Sequence, residues 1–181
     1  MTRLRAIGAA LALVLIVVAA PLALLVWGVP VTRVGNLLRP DDGSALLAVE
    51  QVGAAQHLLD LSVDYAKARL QFGRQIGSFQ AIKHHCADAL LKVEFAKPLV
   101  WRAAYSLAQG DPDAPLHASM AKAAASDAAD VVGRIAMQCH GGIGYTVEYD
   151  LHLYLKRAWA LVAQDGSAAS HRRRVADAVL G

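Results

Sequence analysis

The chain has 181 residues, 18 Lys plus Arg against 15 Asp plus Glu, and 56% hydrophobic residues, enough for one ordinary domain or a small domain with an appendage. Arg3 and Arg5 precede a long apolar stretch, and without them 16 basic residues face 15 acidic ones. A nearly neutral remainder gives no reason to expect a nucleic-acid partner, and the densest basic cluster, His171 to Arg174, reads as a solvated helix end. Cys86 and Cys139 lie far apart without CxxC spacing, so neither a disulfide framework nor a metal site is expected. Cys86 falls on an apolar helix stripe and reads as a small buried hydrophobe.

From Ala6 to Thr32 no residue is charged, and from Ala9 to Val26 nearly all are Ala, Val, Leu or Ile. About 20 apolar residues cross the hydrocarbon core as a helix, so residues 1–28 predict an apolar helix with membrane contact through residues 6–28. The positive-inside rule would hold Arg3 and Arg5 in the cytosol and export the rest of the chain. Pro21 disfavours signal cleavage beside Val18 to Ala20. A third reading treats the segment as the product of a misassigned start.

Residues 29–43 read as an extended linker: Val29 to Val34 alternate weakly, and Pro40-Asp41-Asp42-Gly43 is a turn signal. A helix is predicted from near Ser44 to about Phe72, with the stripe Ala48, Val52, Ala55, Leu59, Val63, Ala66 and Leu70 facing a core. Gly73 and Gly77 bracket a loop. A second helix from near Ser78 carries Phe79, Ile82, Cys86, Ala89, Val93, Ala96, Val100, Ala103 and Leu107, with Pro98 expected to kink it. Gly110-Asp111-Pro112 ends it. A third, alanine-rich helix spans Ala114 to Cys139. After the Gly141, Gly142 and Gly144 turn come a shorter helix from about Tyr149 to Ala163, a break at Asp165-Gly166 and a last helix through Arg172 to Leu180. Long helices with short connections predict an all-α, antiparallel up-and-down bundle over residues 44–181.

Two strings carry chemistry. RLQFGRQIGSFQAIKH, from Arg69 to His84, ends one helix and starts another, and QCHGGIGYTVEYD, from Gln138 to Asp150, is a glycine turn between helices. On residue chemistry alone, Arg69 suits the negative end of a helix dipole and the glycines suit a helix stop. His140 and His152 read as structural histidines. Occurring in order with helices between them, the strings resemble the C-terminal domain of the acyl-CoA dehydrogenases, and the likeness runs over about residues 29–181.

That resemblance implies FAD as cofactor, shared across the interface of a homo- or hetero-oligomer, and an acyl-CoA thioester as substrate. Arg69 would meet the pyrophosphate, with Gln71, Phe72, Gln80 and Ser167 at neighbouring contact positions. Gln138, Cys139, His140, Gly141 and Gly142 would approach the adenosine half of a partner's FAD, glycine allowing this because it lacks Cβ. An electron-transferring flavoprotein would be the electron acceptor. The α-proton requires a carboxylate base, and counting along the family's YEGT string places it at Asp165 in AQDGS, one methylene short of glutamate. Where other members carry the base on the first helix, this chain has Gly43, and Ser44 stands where many have arginine. YDLHLYLKRA resembles a branch containing heteromeric enzymes of bulky or steroid side-chain thioesters. The family's amino-terminal domain and most of its β-domain lack a counterpart, so the site is expected to be incomplete on this chain alone. FAD and acyl-CoA place the chemistry in the cytosol. The rival expectation is a non-catalytic, membrane-anchored helical interaction module.

Overall fold

The computed structural model describes residues 40–181. The expected apolar helix at 1–28, and residues 29–39 of the expected linker, lie outside the described residues. Among the described residues, no helix is long and apolar enough to cross a membrane. Over the described residues the chain forms five α-helices, α1 Pro40–Ala68, α2 Gln80–Gln109, α3 Ala114–His140, α4 Leu151–Ala163 and α5 Ala168–Leu180. Two short strands, β1 Leu70–Gln71 and β2 Arg74–Gln75, join α1 to the 3-10 turn Ile76–Ser78 that leads into α2. A second 3-10 turn, Gly141–Tyr145, follows α3.

α1 corrects the sequence reading at both ends. It starts at Pro40, so residues 40–43 are helical where a linker was expected; proline is tolerated in a first turn because its missing N–H would have no helical partner there. It stops at Ala68, four residues before the expected Phe72. Leu70, expected in the core, is 63% exposed, because the chain leaves the helix for a hairpin in which Leu70 pairs with Gln75 and Gln71 with Arg74. The central pair Phe72 (φ 53°) and Gly73 (φ 76°) both take positive φ, as tight two-residue hairpins demand.

α3 packs against all four other helices. Its inner face is mostly alanine: Ala118, Ala121, Ala125, Ala128, Ala129 and Ala136 are buried together with Val132. Side chains this small let neighbouring helices come close, since interaxial distance depends on the residues at the contact. The core is completed by Ala48, Val52, Ala55, Leu58 and Leu59 of α1, Ala89, Val93, Ala96, Val100 and Ala103 of α2, and Leu151, Leu155 and Ala158 of α4. Pro98 lies within α2 without ending it, and the buried stripe keeps its spacing on either side. Arg157 of α4 makes a two-pronged ion pair with Glu50 of α1, Nε to Oε1 at 2.5 Å and Nη2 to Oε2 at 2.9 Å. A planar guanidinium matched to a carboxylate in this way fixes orientation as well as charge.

Candidate functional site

The hairpin after α1 and the end of α3 enclose a groove of about 490 Å³, lined by Tyr65, Arg69, Gln71, Phe72, Ile76, Phe79, Ala81, Ile82, Gln138, Cys139, His140 and Gly141. Of the residues singled out from sequence, Arg69, Gln71, Phe72, Gln138, Cys139, His140 and Gly141 are thus brought together. Tyr65, Ile76, Phe79, Ala81 and Ile82 were not expected at a site, the sequence placing Phe79 and Ile82 on the core stripe of α2, and the spacing of Tyr65 four residues before Arg69 was the signal that could have revealed the first of them. Gly142 lies beside the groove without lining it, and Gln80 pairs instead with His84, Nε2 to Nε2 at 3.2 Å. Ser167 caps α5, its hydroxyl accepting from the Ser170 N–H at 3.2 Å.

Main-chain contacts hold the groove's shape. The Arg69 N–H donates to the Tyr65 carbonyl at 2.8 Å, and the Ile76 N–H returns to the Arg69 carbonyl at 2.9 Å. Gly77 brings the hairpin exit against α1: a Cβ there would meet the Ala66 carbonyl oxygen at 2.9 Å. Phe72 is the unusual member. It is a large aromatic residue, 91% exposed, in the left-handed region, a conformation that bulky residues seldom adopt and that strained functional positions retain. Its ring meets Phe79 edge to face at 6.1 Å, and the Arg74 guanidinium lies 4.1 Å above the Phe79 ring.

At the opposite wall, His140 stacks on Tyr65 with ring centroids 4.5 Å apart and lies 4.9 Å from Tyr149. Its Nδ1–H donates to the Ala136 carbonyl at 2.8 Å. Its Nε2, also buried, has no hydrogen-bond partner among the described residues. Gly141 takes φ 63° and a Cβ there would meet nothing within 4 Å, so the backbone faces open space. Burial, and after it the neighbouring Cys86, pushes the Cys139 thiol up to about 12, which makes it an inert wall residue rather than a nucleophile.

The Acyl-CoA dehydrogenase, C-terminal domain family matches residues 41–180. The chain belongs to the acyl-CoA dehydrogenase family. It is 46% identical over 126 residues to acyl-CoA dehydrogenase IpdE2 of Mycobacterium tuberculosis, which covers 67% of this chain and 38% of that protein. It is 39% identical over 128 residues to the caffeyl-CoA reductase-Etf complex subunit CarC of Acetobacterium woodii, covering 71% of this chain and 34% of the relative. The butyryl-CoA dehydrogenase structure from Megasphaera elsdenii superposes with a TM-score of 0.75 at 32% identity, over 78% of this chain and 37% of that one. The chain therefore spans less than half the length of these family members, and corresponds to their helical C-terminal domain.

Two positions singled out in the sequence, Asp165 and the start of α1, are brought together by the fold. Asp165 does not line the groove; its carboxylate accepts the hydroxyl of Ser44, on the first turns of α1. The two locations are neighbours although they stand at opposite ends of the domain.

His140 and His171 give a pH signature. Burial lowers the pKa of both, against opposing hydrogen bonds to the carbonyls of Ala136 and Asp165 respectively. A histidine whose folded pKa is depressed binds more protons when unfolded, so its contribution is complete above the unfolded pKa of about 6.5 and is lost as pH falls below it. Urea unfolding midpoints are expected to be level above pH 7 and to fall as the pH drops below about 6.5, flattening in a His140→Gln, His171→Gln double variant; a midpoint in the native chain that stays level on acidification would contradict this.

Proposed function

We propose that this chain is the FAD-holding C-terminal part of an acyl-CoA dehydrogenase, acting in the α,β-dehydrogenation of acyl-CoA thioesters. The observation that carries the reading is the convergence of Arg69, Gln71 and Phe72 with Gln138, His140 and Gly141 on one groove. The groove's residues suit FAD. Arg69 presents an exposed guanidinium for the pyrophosphate, the open backbone at Gly141 admits close approach, and the unpartnered His140 Nε2 offers a buried acceptor. When bound, FAD accepts the hydride that leaves the β-carbon of the thioester.

The residues of this chain would then divide the work. Arg69 binds and orients, Phe72 and Phe79 shield the groove from water, and Asp165 takes the α-proton onto its carboxylate. Asp165 lies outside the groove, and in this reaction the proton and the hydride leave from different faces of the substrate. Substrate and ring pockets would be completed by other parts of the assembled enzyme, in an oligomer that shares FAD between chains. A broad outward face of α2, with Leu91, Phe95, Trp101 and Tyr105 all more than half exposed, supports such assembly. Similarity to a subunit of an Etf complex supports an electron-transferring flavoprotein as acceptor. These reactants place the chemistry in the cytosol.

Equilibrium dialysis of the full chain against FAD, ADP and riboflavin tests the reading. FAD and ADP are expected to bind competitively, while riboflavin, lacking pyrophosphate and adenosine, is not retained. A flavin-free oligomer that ignores all three would instead establish the interaction-module reading.

A further inference from the structure

Lys122, midway along α3, is fully buried. Its Nζ donates to the Leu161 carbonyl at 3.0 Å and to Ser126 Oγ at 3.1 Å, and Ser126 Oγ also accepts from Gln51 Nε2 at 3.1 Å. Packing alone does not call for an ammonium here, because taking that group out of water is costly and an apolar side chain would fill the same space. What the ammonium supplies is a second donor to the Leu161 carbonyl in the last turn of α4, which also accepts from the Gln164 N–H at 3.3 Å.

Just beyond that carbonyl the chain turns sharply. Asp165 takes φ 60° and Gly166 φ 101°. Aspartate enters the left-handed region more readily than most non-glycine residues, and here its surroundings hold it there from three sides. The Ser44 hydroxyl, buried at the start of the bundle, donates to Asp165 Oδ2. His171 of α5, also buried, donates Nε2–H to the Asp165 carbonyl at 2.9 Å. Lys122 of α3 pins the end of α4 immediately before the turn.

We infer that Lys122, Ser44 and His171 form a buried polar clamp that positions the Asp165 carboxylate, Lys122 acting through the C-terminal carbonyls of α4. The inference rests on Asp165 as proton acceptor for its catalytic meaning, while the clamp itself is a conformational device. None of the three clamp residues need touch substrate; they are positioning residues.

The test uses NMR of the full chain, comparing Lys122→Met, Ser44→Ala and Ser44→Thr with the native protein. The readouts are the amide-to-Hα coupling of Asp165, amide exchange at Asp165 and Gly166, and the His171 imidazole titration. Ser44→Ala and Lys122→Met are expected to average the coupling away from its left-handed value and to speed exchange at the turn by roughly tenfold or more. Ser44→Thr, which restores a hydroxyl, should return both toward native. Lys122→Met should also raise the His171 titration midpoint, because the ammonium and Arg174 oppose the imidazolium whereas Asp165 favours it. Unchanged coupling and exchange in Ser44→Ala and Lys122→Met would overturn the clamp; if Lys122→Met does not fold, the Ser44 pair decides alone. Asp165→Asn separates the two ideas. In the enzyme assembled with the parts that complete its pockets, deuterium exchange at the α-carbon of an acyl-CoA retained in Asp165→Asn would sink the proton-acceptor role, yet leave the clamp readouts standing.

Discussion

Leu155→Ala is expected to lower the unfolding free energy by about 2–5 kcal/mol, toward the upper part of that range. Leu155 is 1% exposed on α4 and lies over Gly133 of α3, so close that a Cβ on Gly133 would stand 3.0 Å from Leu155 Cδ2. The leucine fills a hollow that the glycine leaves, and the alanines around it have no longer side chain with which to refill the space. The cost therefore combines lost burial with a cavity that cannot collapse. For a domain of this size the melting temperature should fall by roughly 5–15 °C. Leu153→Ala, at a 55% exposed position on the same helix, supplies the control: an equal loss there would mean that α4 helicity, rather than the Leu155 contact, governs the effect.

The second large effect concerns ligand rather than stability. Arg69→Ala should weaken FAD binding by about 10- to 150-fold, the equivalent of one charge-assisted contact of roughly 1.5–3 kcal/mol. The side chain is exposed and has no ion-pair partner among the described residues, so the melting temperature of the ligand-free chain should hardly move. Arg69→Lys should fall between the two, keeping charge but losing the planar fork. Fluorescence titration with FAD provides the measurement, and equal affinities for the native and alanine chains would remove Arg69 from the pyrophosphate contact.

The helices were legible because their burial is periodic. Ala89, Val93, Ala96, Val100 and Ala103 keep to threes and fours, and the structure buries all of them. The family was legible for a different reason: Arg69 to His84 and Gln138 to Asp150 occur in order at the ends of such helices. The hairpin was not legible. Leu70 continues the stripe of α1 in sequence, and only tertiary contact between Gly77 and Ala66 shows that the chain has already turned away. Ser44 and Asp165 stand apart in the sequence with no local periodicity to link them, and their contact arises from how α1 packs beside α4. Lys122 carried no signal at all. In a helix rich in alanine a single lysine reads as a solvent-facing residue, and its burial depends on Leu161 and Ser126 being brought to it.

The alanine face of α3 also governs how the chain can drift. At Ala121, Ala125, Ala129 and Ala136 no surface is left exposed, so any larger residue would overpack at about 1–3 kcal/mol, while glycine would cost about 1 kcal/mol in helix propensity. Such positions have almost no neutral alternatives. Substitutions are thereby tolerated mainly on the outward faces, among them that of α2, while the helix at the centre has little room to change.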